Sequence, residues 1–254
     1  MIFDRVICGV DASDESLEAV RQAARLVSGS GRLLLVAVVE VDMAVHAGWA
    51  ASDVLSQLKT EAEGALERAH QEIAHLRLAE TRLLEGPAPA CLLREIEREK
   101  AGVLCLGTHG HRRIAGILIG SLVTTFLHDA PCSVLVARSP RDAAAFPASI
   151  LVGIDGSAEA EAALGVASAL RDRFGASVRA VVASGGKKVD VEAIRAGHAG
   201  AETFAGKPVE VLVQASEEAD LLVLGSRGLH GVKALGSVSE RVAHQARCSV
   251  LIVR

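Results

Sequence analysis

The chain contains no tyrosine, a single tryptophan and only five phenylalanines among its 254 residues. A ring that stacks on a base or sugar is therefore nearly excluded, and any ligand must be held by backbone and aliphatic surface. Paired cysteines are also lacking. The five thiols, at 8, 91, 105, 132 and 248, form no Cys-x-x-Cys and are odd in number. This spacing argues for a reducing, cytoplasmic setting with small buried thiols, and a redox switch is the alternative reading. A basic excess is missing: 27 basic against 31 acidic residues give a net charge of -4, with no electrostatic case for nucleic acid. The longest apolar stretch, Leu33 to Val39, has the length of a buried strand and is far too short to span a bilayer. Met1 leads through Phe3 into an apolar run without a basic n-region or cleavage site, so no secretory signal is expected.

The familiar phosphate loops are missing as well. Gly186-Lys187 and Gly206-Lys207 continue into Lys188 and Pro208 rather than Ser or Thr, so neither closes a Walker A loop. The stretch "GTHGHRRIAGILIGS" (107–121) does not fit the dinucleotide Gly-x-Gly-x-x-Gly pattern either.

What is present is a repeat. "VICGVDASDESLEAVRQAARL" (6–26) lies over "ILVGIDGSAEAEAALGVASAL" (150–170), with Gly9 on Gly153, Asp11 on Asp155 and Ser13 on Ser157. Further along, Gly31 falls on Gly175. "LCLGTHG" (104–110) matches "LVLGSRG" (222–228), and "PCSVLVAR" (131–138) matches "RCSVLIVR" (247–254). So long a period indicates two copies of one domain, expected at 1–139 and 148–254, joined by the alanine-rich, proline-flanked "SPRDAAAFPAS".

Copy one alternates strands, expected at 4–10, 33–39, 80–85, 102–107 and 133–138, with helices near 13–28, 53–78, 89–100 and 121–129. Leu17, Val20, Ala24 and Val27 lie at helical spacing, and Ser13 and Ser157 suit helix N-caps. In the second helix Leu55, Leu58, Ala62, Ala65, Ala69, Ile73 and Leu76 form one stripe, expected to face the core. Alternation of this kind implies an α/β fold with a parallel sheet covered on both faces. Copy two keeps only "KKVDVEAIRAGHAGAE" between its second and third strands, so it is the shortened copy.

Ligands of open α/β sheets bind beyond the carboxyl ends of the strands, where strand order reverses. Asp11 leaves strand one and Gly107 to Ser121 leaves strand four. If those strands are neighbours, in order 3-2-1-4-5 by analogy, both border one cleft. Gly107 and Gly110 would let the backbone approach a ligand. Gly120-Ser121 opens a helix whose free N–H groups favour phosphate oxygens, and Asp11 could bond sugar hydroxyls or the adenine edge. The bland readings are a helix-start aspartate and ordinary turns. His109 and His111 flank Gly110 without a nearby Cys, Asp or Glu, so His109 is expected on backbone or phosphate rather than on a metal. Arg112 and Arg113 are expected in solvent, within reach of a triphosphate.

These residues resemble the universal stress protein family in its tandem two-domain form. Its ATP-binding members carry Gly-x2-Gly-x9-Gly-Ser/Thr, which Gly107, Gly110, Gly120 and Ser121 fit without a spacing error. The resemblance implies two Rossmann-like, adenine nucleotide alpha hydrolase-like domains, each a five-stranded parallel sheet, and dimerisation through the fifth strands. Within one chain this means a pseudo-dimer, with a homodimer also possible. It implies ATP, with or without Mg2+, held by Asp11, the region of Ala37, Gly107, Gly110, Gly120, Ser121 and Leu122. Gly9, Val10, Leu106, His109 and Val123 complete the candidate set.

Copy two departs from the pattern. Only seven residues separate Gly228 from Gly236-Ser237, although Asp155 and Gly225 persist, so its phosphate cradle is expected to be remade or lost. The function expected is a cytoplasmic, nucleotide-sensing stress regulator acting on a protein partner. Slow ATP hydrolysis is disfavoured, because no residue is evidently placed as a base and no kinase or Walker aspartate set is visible. An interaction module that binds no nucleotide is the third reading. An ATP pyrophosphatase would want Ser-Gly-Gly-x-Asp-Ser after strand one, and "ASGGKK" (183–188) follows strand two and lacks the Asp-Ser.

Overall fold

A computed structural model describes residues 3–40, 51–74, 79–109, 119–142, 145–185, 189–226 and 236–254. The chain divides into two compact units, one holding Phe3–Phe126 and Ala130–Ala137 and the other Leu127–Asp129 and Arg138–Arg254.

The first copy runs β1 (Phe3–Gly9), α1 (Asp14–Leu26), β2 (Val27–Val39), α2 (Ala51–Glu72), β3 (Ala79–Glu85), α3 (Ala88–Glu99), β4 (Val103–Gly107), α4 (Ser121–Asp129, of which Leu127–Asp129 group with the second unit) and β5 (Ser133–Ala137). Its strands pair in parallel in the order β3-β2-β1-β4-β5. β4 and β5 are apolar apart from Ser133 and are buried along almost their whole length, as a parallel sheet covered on both faces requires. α1 starts where the Ser13 hydroxyl accepts from the Ser16 N–H at 3.2 Å, with Asp14 and Glu15 in the first turn. Leu17 and Val20 are buried as expected, and Ala23 and Leu26 continue the stripe.

One boundary differs from expectation. α1 ends at Leu26 rather than near 28, and β2 begins at once at Val27 rather than at 33. The segment Ser28-Gly29-Ser30-Gly31 has poor helix propensity, and the Ser28 hydroxyl bonds the Asp4 carboxylate at 2.7 Å, tying it to β1. Gly31 therefore sits inside a strand. Its sequence counterpart Gly175 instead closes a helix at φ +68.

The second unit runs β6 (Ser149–Gly153), α5 (Ala158–Phe174), β7 (Ser177–Ala183), α6 (Val191–Gly197), β8 (Glu202–Phe204), α7 (Pro208–Ala215), a 3-10 turn at Ser216–Glu218, β9 (Leu221–Gly225), α8 (Ser237–Gln245) and β10 (Ser249–Val253). Its parallel order, β8-β7-β6-β9-β10, repeats the first. The expected order 3-2-1-4-5 thus holds in each unit, and the shortening is visible: α6 has 7 residues against 22 in α2, and β8 has 3 against 7 in β3.

Candidate functional site

In the first unit the ends of β1, β2 and β4 and the start of α4 surround a cavity of about 490 Å³. Its lining includes Gly9, Val10, Asp11, Ala37, Leu106, Gly107, His109, Gly120, Ser121, Leu122 and Val123, so these sequence candidates border one space. Gly110, His111, Arg112 and Arg113 lie outside the described residues.

The β1 side is ordered by the helix start. The Asp11 Oδ1 atom accepts from the Ser13 N–H at 2.9 Å and from the Ser13 hydroxyl, while the Asp11 N–H donates to the Ser16 hydroxyl at 2.9 Å. Asp155 makes the same turn in the second unit, accepting from the N–H and hydroxyl of Ser157. Both aspartates therefore have a structural reason to be present, which accounts for Asp155 in a copy whose loop is altered. Beneath Asp11, burial and then the Asp11 charge push the Cys8 thiol far above its usual range.

The β2 side offers backbone. The Val10 N–H donates to the Val36 carbonyl at 2.8 Å, and the Gly86 N–H donates to the Val39 carbonyl at 3.0 Å. Val36 thus faces β1 and Val39 faces β3. By alternation the N–H and C=O of Val38 face the β1 side, two residues past the Gly9–Val36 pair that ends the β1 ladder. Val38 lines the cavity, so a donor and an acceptor stand side by side at its wall.

The β4 side carries the loop. Its neck is closed by the Gly120 N–H donating to the Thr108 carbonyl at 2.7 Å, so that N–H is already engaged. The N–H groups of Ser121, Leu122 and Val123 follow in the first turn of α4, where the helix has no intrahelical partners for them. No side chain caps this end among the described residues, and its first turn carries no acidic residue. That leaves the positive end of the helix facing the cavity. Gly107 has a different reason from the one sequence suggested. A Cβ there would lie 2.6 Å from the carbonyl carbon of Glu15, so glycine lets α1 pack onto β4, and Gly225 repeats this against Glu159 at 2.4 Å.

The remaining walls were missed from sequence. Leu58, Glu61 and Ala62 of α2 and Ala88, Pro89 and Leu92 of α3 line the cavity. The α2 stripe divides: Ala65, Ala69 and Ile73 are buried in the core, whereas Leu58 and Ala62 turn to the cavity. A period of 3.6 marks one apolar face without saying whether packed protein or a ligand covers it. For α3 the available signal was "GPAPA" (86–90), a third strand-to-helix turn at the same edge of the sheet.

Against this geometry, the model of the universal stress protein family matches residues 2–138 and 183–254. The chain belongs to the universal stress protein family. It is of the tandem type, with one match in each copy. A universal stress protein of Mycobacterium tuberculosis is 34% identical over 197 residues, covering 65% of this chain and 66% of the relative, just under two thirds of that relative's length. One from Mycolicibacterium smegmatis is 29% identical over 291 aligned positions, 98% of this chain and 96% of the relative. Among solved structures, a universal stress protein from Archaeoglobus fulgidus superposes with a TM-score of 0.74 at 22% identity, covering 98% of this chain and 96% of that one. A putative one from Pseudomonas aeruginosa reaches 0.72 at 14% identity, covering 99% and 93%. These likenesses fix the fold of this universal stress protein.

The two copies of this universal stress protein differ where α4 and α8 begin. Ile154 donates to the Val181 carbonyl at 3.0 Å as Val10 does to Val36, which makes Ala183 the counterpart of Val38. α8, however, carries Glu240 in its first turn, where α4 has Thr124. A carboxylate there competes with any other anion for the helix end. The Ser239 hydroxyl donates to the Gly225 carbonyl at 2.9 Å, where the first copy has Val123. Gly228 lies outside the described residues.

Proposed function

We propose that the first unit binds ATP and that its occupancy is the signal of a nucleotide-dependent stress regulator. The reading is carried by one observation: among the described residues, a helix start without a side-chain cap or an acidic first turn and a strand edge beyond the β1 ladder border the same cavity. The N–H groups of Ser121, Leu122 and Val123 would take phosphate oxygens, assisted by His109, with any Mg2+ carried on the phosphates. The Val38 N–H would donate to adenine N1 and its C=O would accept from the N6 amino group. Guanine presents a donor and an acceptor in the opposite order, so it meets this edge like against like. Asp11 would bond the ribose, and Leu58, Ala62, Pro89 and Leu92 supply the apolar cover that missing aromatics cannot. A cavity of about 490 Å³ is within the range of small-molecule sites.

The second unit fits an interaction module better. It retains the strand edge, but Glu240 and the shortened loop oppose phosphate. A cytoplasmic location, a protein partner and a homodimer belong to the same proposal, and slow hydrolysis is the competing fate of the bound nucleotide. Native mass spectrometry of the purified chain tests the reading. One co-purified adenine nucleotide per chain supports it, and nucleotide-free protein that also takes up no added ATP overturns it.

A further inference from the structure

With ATP bound as proposed, the base lies at the end of β2, on Val38, and the phosphates lie at the start of α4, beside β4. β1 is the strand between β2 and β4. The sugar that joins base to phosphate therefore passes over the end of β1, where Val10, Asp11 and Ala12 line the cavity. A ribose brings two neighbouring hydroxyls, and each gives up water on binding and needs an acceptor in its place. Asp11 offers one carboxylate. Its Oδ1 atom already accepts from the Ser13 N–H at 2.9 Å and from the Ser13 hydroxyl, which uses part of its capacity.

A second carboxylate stands on the α2 wall. Glu61 lines the cavity beside Leu58 and Ala62. Two turns on, and so on the same stripe of the helix, the Arg68 Nη2 donates to the Ala12 carbonyl at 2.9 Å. That bond holds this stripe of α2 alongside the turn from β1 into α1, which brings Glu61 to the sugar's side of the cavity. One turn before it, the Gln57 Nε2 donates to the Glu61 Oε1 atom at 3.1 Å and steadies the carboxylate. A carboxylate has about four acceptor positions, so one such donor leaves room for a hydroxyl. It offers no proton, so it opposes a phosphate and suits a sugar. Position then separates the two hydroxyls. C2′ adjoins the carbon that carries the base, whereas C3′ lies nearer the phosphates, and α2 packs along β2, on the base side. The 2′-hydroxyl falls to Glu61 and the 3′-hydroxyl to Asp11.

We propose that Glu61 is a specificity-determining residue: it accepts the ribose 2′-hydroxyl and makes the cavity a site for ribonucleotides rather than deoxyribonucleotides. The inference rests on the ATP reading of that cavity. Calorimetric titration of the full chain with ATP, 2′-deoxy-ATP and 3′-deoxy-ATP tests it, in the wild type and in Glu61→Ala. Alanine is the best helix former, so the substitution should leave α2 in place, with circular dichroism reporting an intact fold. The wild type is expected to bind ATP roughly tenfold more tightly than 2′-deoxy-ATP, the scale of one hydrogen bond to a charged group. Glu61→Ala should bind the two alike, at the wild type's affinity for 2′-deoxy-ATP, while 3′-deoxy-ATP stays weaker than ATP in both proteins. A wild type indifferent to the 2′-hydroxyl, or a preference for ATP over 2′-deoxy-ATP that survives in Glu61→Ala, would overturn the role of Glu61 alone. So would a variant in which the 3′-deoxy penalty vanishes and the 2′-deoxy penalty remains. Absence of binding by all three compounds to the wild type would remove the ATP reading and the role of Glu61 with it.

Discussion

Replacing Gly107 by alanine tests how the site is positioned. The new Cβ would lie 2.6 Å from the Glu15 carbonyl carbon, 2.7 Å from its oxygen and 2.9 Å from the Ser16 nitrogen. All three are backbone atoms of α1, so no side-chain rotation relieves the contact. They are also tethered: the Ser16 N–H donates to the Ser13 hydroxyl at 3.2 Å and the Ser16 hydroxyl accepts from the Asp11 N–H. α1 must retreat, taking Asp11 with it. Overpacking of this kind costs about 1–3 kcal/mol, so urea unfolding should show a lower midpoint with an unchanged slope for the unit affected. ATP affinity should fall as well. Gly225→Ala meets Glu159 at 2.4 Å and should destabilise the second unit comparably while leaving ATP binding intact. If Gly107→Ala is as stable as the wild type to within about 0.5 kcal/mol, the close approach of α1 to β4 is not what demands glycine.

Other expectations follow from named groups. All five cysteines are buried, and burial pushes Cys8 and Cys105 far up and Cys248 up to about 12, so a maleimide should label none of them until denaturant is added. The hydrogen bond from Arg179 holds the Glu202 carboxyl below its usual 4.5, as Arg21 does for Glu72. Their stabilisation is complete above the unfolded value and is lost as pH falls through the folded one. The melting temperature should therefore drop in acid, less steeply in Glu202→Gln, with salt shrinking the difference because both pairs are partly exposed. GTP should bind more weakly than ATP by about two to four orders of magnitude, because two mismatched groups at Val38 each forfeit roughly 1–3 kcal/mol. Equal affinities would place the base elsewhere.

Much of the architecture was legible because its signals are local. Short apolar runs between turn residues, such as Val103–Gly107, suit buried strands by their length, and Ser13 followed by two acidic residues marks a helix start. The α1–β2 boundary was not legible, because the strand extension depends on Ser28 reaching Asp4 across 24 residues. At the site, the loop motif pointed to α4, and Asp11 marked the β1 end. The apolar walls were hidden because Leu58 and Ala62 share a period with the core residues Ala65, Ala69 and Ile73. Val38 was hidden for another reason: which of its neighbours a backbone group faces is set by register, and side-chain identity does not record register. The role of Gly107 also emerged only from coordinates, since a turn, a ligand and a packed helix all select glycine.

The central claim is a single nucleotide site built on the start of α4. Calorimetric titration of ATP into the wild type, Gly120→Val and Gly236→Val tests it most directly. Gly120 has φ -67 and ψ 155, a conformation valine adopts readily, and its N–H bond to Thr108 needs no side chain. The substitution should therefore preserve the fold while placing two methyl groups beside the N–H groups proposed to take phosphate. One ATP per wild-type chain is expected, with loss of nearly all binding in Gly120→Val and little change in Gly236→Val. Two equal sites per wild-type chain, or undiminished affinity in a folded Gly120→Val protein, would contradict it.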